Sequence, residues 1–125
     1  MSVLVDTSVW VEHFRSGSIE LQRLLADERV LIHPLVIGEI ACGTPPDRQE
    51  TLASLRLLLS SQQASVDEVV SFIDQEQLYG LGCGLVDLTL LASTLVTPGA
   101  ALWTLDRRLA DLALRFGVGH QGISH

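Results

Sequence analysis

Hydrophobic residues along this chain fall in short runs separated by polar and glycine-rich breaks, and their spacing alternates between strand and helix. Val3 to Val5 is an apolar run ending in Asp6, the pattern of a buried strand whose carboxyl end carries an acid. Asp6, Thr7 and Ser8 offer capping side chains to a first helical stretch from Val9 to Phe14, which Gly17 breaks. Ile19, Leu21, Leu24 and Leu25 keep helical spacing up to Asp27, and Val30 to Ile32 is the next strand. After His33, Pro34 stands near the first position of a helix that runs through Glu39 to Cys42 and stops at Gly43. Thr44-Pro45-Pro46 restarts the chain in a helix striped by Leu52, Leu55, Leu58 and Leu59, and Gln62 to Ser65 is a candidate short strand. Val66 to Tyr79 reads as a helix with Val69, Val70, Phe72 and Ile73 on or near its inner face. Gly80, Gly82 and Gly84 mark a loop before a helix from Leu85 to Val96, stopped by Pro98-Gly99. Ala100 to Leu105 is a strand leading into Asp106, followed by a helix to Phe116 and a candidate strand from Val118 to His120.

Strands alternating with helices predict an α/β domain with a parallel sheet of four or five strands, covered on both faces. At 125 residues the chain is expected to be one domain spanning 1–125, with no linker and no repeat. A hydrophobic fraction of 47% and a mean hydropathy of +0.35 supply a core and argue against disorder. No apolar run reaches membrane-spanning length, and the start lacks the basic segment of a signal peptide, so a cytoplasmic protein is expected. Cys42 and Cys83 sit among apolar and glycine residues, where free thiols act as small hydrophobes.

Charge complicates the picture. Eight basic residues, all Arg, face 15 acidic ones, a net charge of −7 that argues against gripping long duplexes by charge alone. Whole-chain charge bears on solubility and steering and not on the chemistry of a site, where acids that hold metal ions can still meet an anion through the metals.

The acids repay a closer look. Ligands of parallel α/β sheets sit outside the carboxyl ends of the strands. Asp6 and Asp106 each follow a predicted strand, so both open on that edge. Glu39 and Asp87 lie in apolar helices that must pack against the sheet, Asp87 in the first turn of its own. Carboxylates in such surroundings need a cation, a proton or hydrogen-bond donors, and the chain has no Lys to offer. Hard divalent cations, Mg²⁺ or Mn²⁺ first, suit oxygen ligands. The plainer reading makes Asp6, Asp87 and Asp106 helix caps and Glu39 half of an ion pair. Capping and metal binding are compatible. His13 and His33 read as polar contacts, since no His or Cys pairs with either at ligand spacing, and His120 and His125 belong to the tail. Arg107, Arg108 and Arg115 are either a solvated face or phosphate contacts.

Four segments carry a resemblance. Val3-Leu-Val-Asp-Thr-Ser-Val-Trp-Val-Glu-His-Phe-Arg15 resembles the opening of PIN domains, especially the VapC-type toxins of bacterial toxin–antitoxin pairs. The likeness continues from Pro34 to Gly43 around Glu39, from Gly84 to Ser93 around Asp87, and from Gly99 to Leu109 around Asp106. It implies a three-layer α/β/α fold and a metal site made of Asp6, Glu39, Asp87 and Asp106, with Ser8 and Thr104 in support. It also implies cleavage of structured RNA such as tRNA or rRNA, silencing by an antitoxin that occupies the site, and a homodimer. Hydrolysis by an activated water would leave a 5′-phosphate and a 3′-hydroxyl. The segment from Pro45 to Gln63 matches nothing specific. Two other readings compete. Phosphoryl transfer through Asp6 would call for a second acid nearby and an essential Lys, but position 8 is Ser and Lys is absent. A degenerate domain that only binds RNA or a partner would be expected to lose an acid, and all four are present.

Overall fold

The structure is a computed structural model that describes residues 1–122; His125, assigned to the tail from sequence, lies outside them. Among the described residues, β1 (Ser2–Val5), β2 (Val30–Ile32), β3 (Leu59–Ser60) and β4 (Ala100–Trp103) form one sheet. All pairings are parallel and the strand order is β3-β2-β1-β4. The first crossover carries α1 (Thr7–Ser16) and α2 (Ile19–Ala26), the second α3 (Pro34–Ala41) and α4 (Arg48–Arg56). The third carries α5 (Val66–Glu76) and α6 (Leu85–Leu95), and α7 (Arg107–Arg115) follows β4. Parallel crossovers are right-handed, so the leftward steps β1 to β2 to β3 and the return to β4 send their helices to opposite faces. Two helical layers therefore enclose the sheet. The chain changes direction between β1 and β4, and a crevice opens at the carboxyl ends of such strands.

The core is aliphatic. Val3, Leu4 and Val5 of β1, Leu102 of β4, and Leu90 and Leu91 of α6 are fully buried. Helix α6 is buried from Leu88 through Thr94, because it packs on β4 as well as on α5 and α7. Its Thr89 and Thr94 hydroxyls donate to carbonyls four residues back, which is how polar groups are tolerated there.

Several boundaries differ from expectation. Helix α4 begins at Arg48 and ends at Arg56, and Leu59 leaves the helical stripe to pair with Leu31 as the start of β3, where it is 70% exposed. The strand expected at Gln62 to Ser65 is absent. There the N–H groups of Gln62 and Ala64 donate to the Thr97 and Ser93 hydroxyls of the α6 end, so this stretch has donors satisfied without a ladder. Helix α5 stops at Glu76 because Gln77 turns left-handed, at φ 55°, and Leu78 dives into the core. Val70, expected near the inner face, is exposed. Past α7 the fifth strand is reduced to one bridge between Leu102 and Gly119.

These placements set an expectation for stability. Leu90→Ala should cost about 2–5 kcal/mol, as for other fully buried leucines, while Leu59→Ser should stay within about 0.5 kcal/mol. Urea unfolding of both variants checks this; a large loss for Leu59→Ser would return that residue to a buried helical face.

Candidate active site

Asp6 follows β1 directly and is only 5% exposed. Its N–H donates to the Trp103 carbonyl at 2.9 Å, extending the β1–β4 ladder one step and bringing Asp6 alongside Thr104. The Thr104 hydroxyl donates to Asp6 Oδ2 at 2.8 Å, and Ser8 Oγ donates to the same oxygen at 2.7 Å. Each hydroxyl also accepts from the turn after β4, Ser8 from the Leu105 N–H and Thr104 from the Asp106 N–H, both at 3.0 Å. Asp6 Oδ1 receives no hydrogen bond among the described residues. The side chain makes no cap to α1, so the capping alternative for Asp6 falls away.

Asp106 does cap its helix. Its Oδ1 accepts from the N–H groups of Arg108 at 2.9 Å and Leu109 at 3.1 Å, leaving Oδ2 without a donor among the described residues. Glu39 is exposed, contrary to the burial expected from its apolar neighbours, because the inner face of α3 falls to Val36 and Ile40. Its Oε1 accepts from the Thr7 hydroxyl at 2.6 Å. Thr7 was read from sequence only as a capping residue. Its adjacency to Asp6 was the one available signal, and contact with α3 needed the fold.

Asp87 sits half-buried in the first turn of α6. Burial first, then the charge of Asp6, hold its carboxyl above the ordinary carboxylate range; the Gly84 backbone N–H pulls the other way, and Asp106 and Glu39 push it further up. The four acids therefore share one electrostatic environment. None of them pairs with a cation: among the described residues the ion pairs are Arg15–Glu12 at 3.8 Å and His120–Glu20 at 2.9 Å. The ion-pair alternative for Glu39 thus has no partner among the described residues, whereas Glu20 pairs with His120.

No three His, Cys, Asp or Glu side chains among the described residues stand close enough together to enclose an ion. Carboxylates without a cation repel one another, and here three of them rest one oxygen on a hydroxyl or backbone donor. An open set of hard oxygen ligands suits Mg²⁺ or Mn²⁺. Magnesium keeps several waters and takes only one or two carboxylates, so a closed cage is not needed. The donor chemistry fits such an ion.

The histidines are otherwise engaged. His33 Nδ1 accepts from the Leu35 N–H at 3.0 Å as the cap of α3, and burial lowers its pKa, so the ring is neutral with its proton on Nε2, 3.3 Å from Ser93 Oγ. His13 Nδ1 accepts from the Ser18 N–H at 3.0 Å. Both cysteines are free thiols, but Cys42 is exposed and so is not the buried hydrophobe expected.

The parallel sheet reverses its order between β1 and β4, with Asp6 and Asp106 following those two strands. The family described as PIN domain matches residues 3–114, and the chain belongs to that family. Among curated relatives, Ribonuclease VapC32 of Mycobacterium tuberculosis is 41% identical over 116 residues, covering 93% of this chain and 94% of that protein. Ribonuclease VapC11 of Mycobacterium tuberculosis and VapC ribonuclease Mb1587 of Mycobacterium bovis are each 33% identical over 76 residues, 56% of either chain. No helix among the described residues is long and apolar enough to cross a membrane.

The raised pKa of Asp87 has a pH signature. The folded, metal-free protein holds that proton to higher pH than the unfolded chain does, so stability falls as pH climbs from about 4, the unfolded value, through the raised one. At neutral pH, Asp87→Asn should leave the melting temperature in chelator unchanged or higher and flatten this acid-side dependence. Asp106→Ala, which removes a cap, should instead cost about 1 kcal/mol. Thermal melts from pH 4 to 8 check both; a clear loss for Asp87→Asn at pH 7 would make that carboxylate structural.

Proposed function

We propose that this chain is a metal-dependent endoribonuclease, the toxin of a toxin–antitoxin pair, that hydrolyses phosphodiesters of structured RNA such as tRNA or rRNA. The observation that carries the reading is the buried Asp6 carboxylate, held through one oxygen by Ser8 and Thr104, with no cationic side chain among the described residues paired to it or to Glu39, Asp87 or Asp106. Ribonuclease relatives matching nearly the full chain support the same assignment.

In this reading Asp6, Glu39, Asp87 and Asp106 would hold Mg²⁺ or Mn²⁺, which would supply Lewis-acid polarisation of the phosphate and lower the pKa of a water. The chain's own groups prepare the site. Ser8 and Thr104 lock the Asp6 carboxylate by its Oδ2, keeping Oδ1 available. Thr7 restrains Glu39 in the same way across 32 residues of sequence. Asp106 is steadied by two backbone donors, and the carboxyl of Asp87, held up by burial, is a ligand sensitive to mild acid.

Cleavage of tRNA should vanish in chelator and return with Mn²⁺, and Asp6→Asn should abolish it. Thr104→Val, which removes a supporting hydroxyl, should cost about 10–100-fold in activity or metal affinity. Full activity in a sample verified free of metal would sink the mechanism.

Two associations complete the proposal, and one pair of measurements tests them. Val66, Val70, Tyr79, Leu81 and Leu85 leave exposed apolar surface on α5, the glycine loop and α6, suited to a symmetric contact with a second copy. An antitoxin, in contrast, should reach the acids with an Arg or Lys that takes the place of the cation. Light scattering of the chain alone should then give twice 13.6 kDa, and adding the antitoxin should lower affinity for Mn²⁺. A monomer would remove the first association and unchanged Mn²⁺ affinity the second.

A further inference from the structure

Arg108 is the second residue of α7, and its side chain leaves the helix to lie across the glycine loop that precedes α6. The contact depends on Gly82. That residue has φ +88°, and a Cβ built on it would stand 2.7 Å from Arg108 Nη1, 2.8 Å from Cδ and 3.0 Å from Cζ. The guanidinium and the end of its stem thus rest directly on the bare Cα. Nη1 also donates to the Gly82 carbonyl, at a long 3.5 Å.

Little else engages that charge. Arg108 forms no ion pair among the described residues, although Asp106, two residues earlier, caps the same helix. It does lie between segments that carry acids: Asp106 stands two residues before it, and Gly82, on which it rests, leads through Cys83 and Gly84 into the helix that holds Asp87. Position also matters. Arg107 and Arg108 open α7, whose first turn holds no acid, although the positive end of a helix disfavours cations there. Local rules broken without a local gain point to function.

We propose that Arg108, seated on Gly82, binds a phosphate of the RNA strand adjacent to the one being cut. This rests on the ribonuclease reading and adds a substrate-positioning residue outside the four acids. A planar guanidinium has five donors and matches phosphate geometry, and only one of them is used here, at the limit of hydrogen-bond length. In a chain of net charge −7 with eight arginines, a cation held beside the acids is where an anionic strand can be gripped close to the reaction.

The test measures end-labelled bulk tRNA binding by anisotropy over a salt series, in an Asp6→Asn background so that the probe stays intact. Arg108→Ala should weaken binding about tenfold at low salt and reduce the slope of log affinity against log salt by about 0.7–1. With the acids intact, KM for tRNA cleavage should rise by a similar factor while kcat stays within about twofold. Arg108→Gln can still reach the Gly82 carbonyl but should lose the slope like Arg108→Ala, whereas Arg108→Lys should keep it. Gly82→Ala, which unseats the side chain, should give a smaller loss. Arg56→Ala, which removes the same charge just before β3 at the opposite sheet edge, should leave the slope unchanged. An unchanged slope and KM in Arg108→Ala, rescue by Gln, or an equal loss in Arg56→Ala would each overturn the proposal while parent cleavage keeps the ribonuclease reading standing. A parent that neither binds nor cleaves tRNA would overturn both.

Discussion

The parallel pairing of β1 with β4 is the constraint on which the site depends. Val5 stands opposite Trp103, and the next rung is the Asp6 N–H on the Trp103 carbonyl. A strand displaced by one residue would turn every side chain to the other face. Here the register sets Asp6 beside Thr104 and within reach of Ser8, so two hydroxyls meet one carboxylate oxygen. The strand order reverses between β1 and β4, the place where parallel α/β sheets take their ligands.

Around that anchor the acids show a shared economy of hydrogen bonds. Asp6, Glu39 and Asp106 each rest one oxygen on a hydroxyl or backbone donor, while the other has no donor among the described residues. Such half-satisfied carboxylates are oriented without being neutralised. Asp87 is the exception: burial and three like charges act on it, and a backbone N–H only partly offsets them. An arrangement of this kind is held together by the fold and not by attraction among its members. It is strained electrostatically until positive charge arrives, which gives a divalent cation, or a cationic side chain of a partner, the same reason to bind.

The net charge of −7 becomes intelligible in the same terms. Under the proposed reading, affinity for a polyanion would fall to a metal held by the acids and to a few placed arginines. Arg48 donates to the Ala41 carbonyl and Arg29 to that of Met1, so part of the small arginine complement is committed to holding backbone together. Arg108 differs in lying against the loop that leads to Asp87.

The α/β class, the parallel sheet and nearly all of the helices were legible in the chain, and so were the four acids as candidates. Strand and helix periods are local, and an acid directly after a buried apolar run is visible without any fold; the family segments pointed to the same residues. The surroundings of each acid were decided only by the tertiary structure. Glu39 reads as buried because its neighbours are apolar, yet the helix presents Val36 and Ile40 inward and leaves Glu39 outside. The Thr7 contact with Glu39 joins residues 32 apart, and the Thr104 contact with Asp6 joins residues 98 apart. The exposed Leu59 and the missing strand at Gln62 to Ser65 have the same origin. Local hydrophobic pattern marks what can be buried, but pairing across the sheet and donors on distant helices decide what is, because each backbone group takes whichever partner the packed fold brings to it.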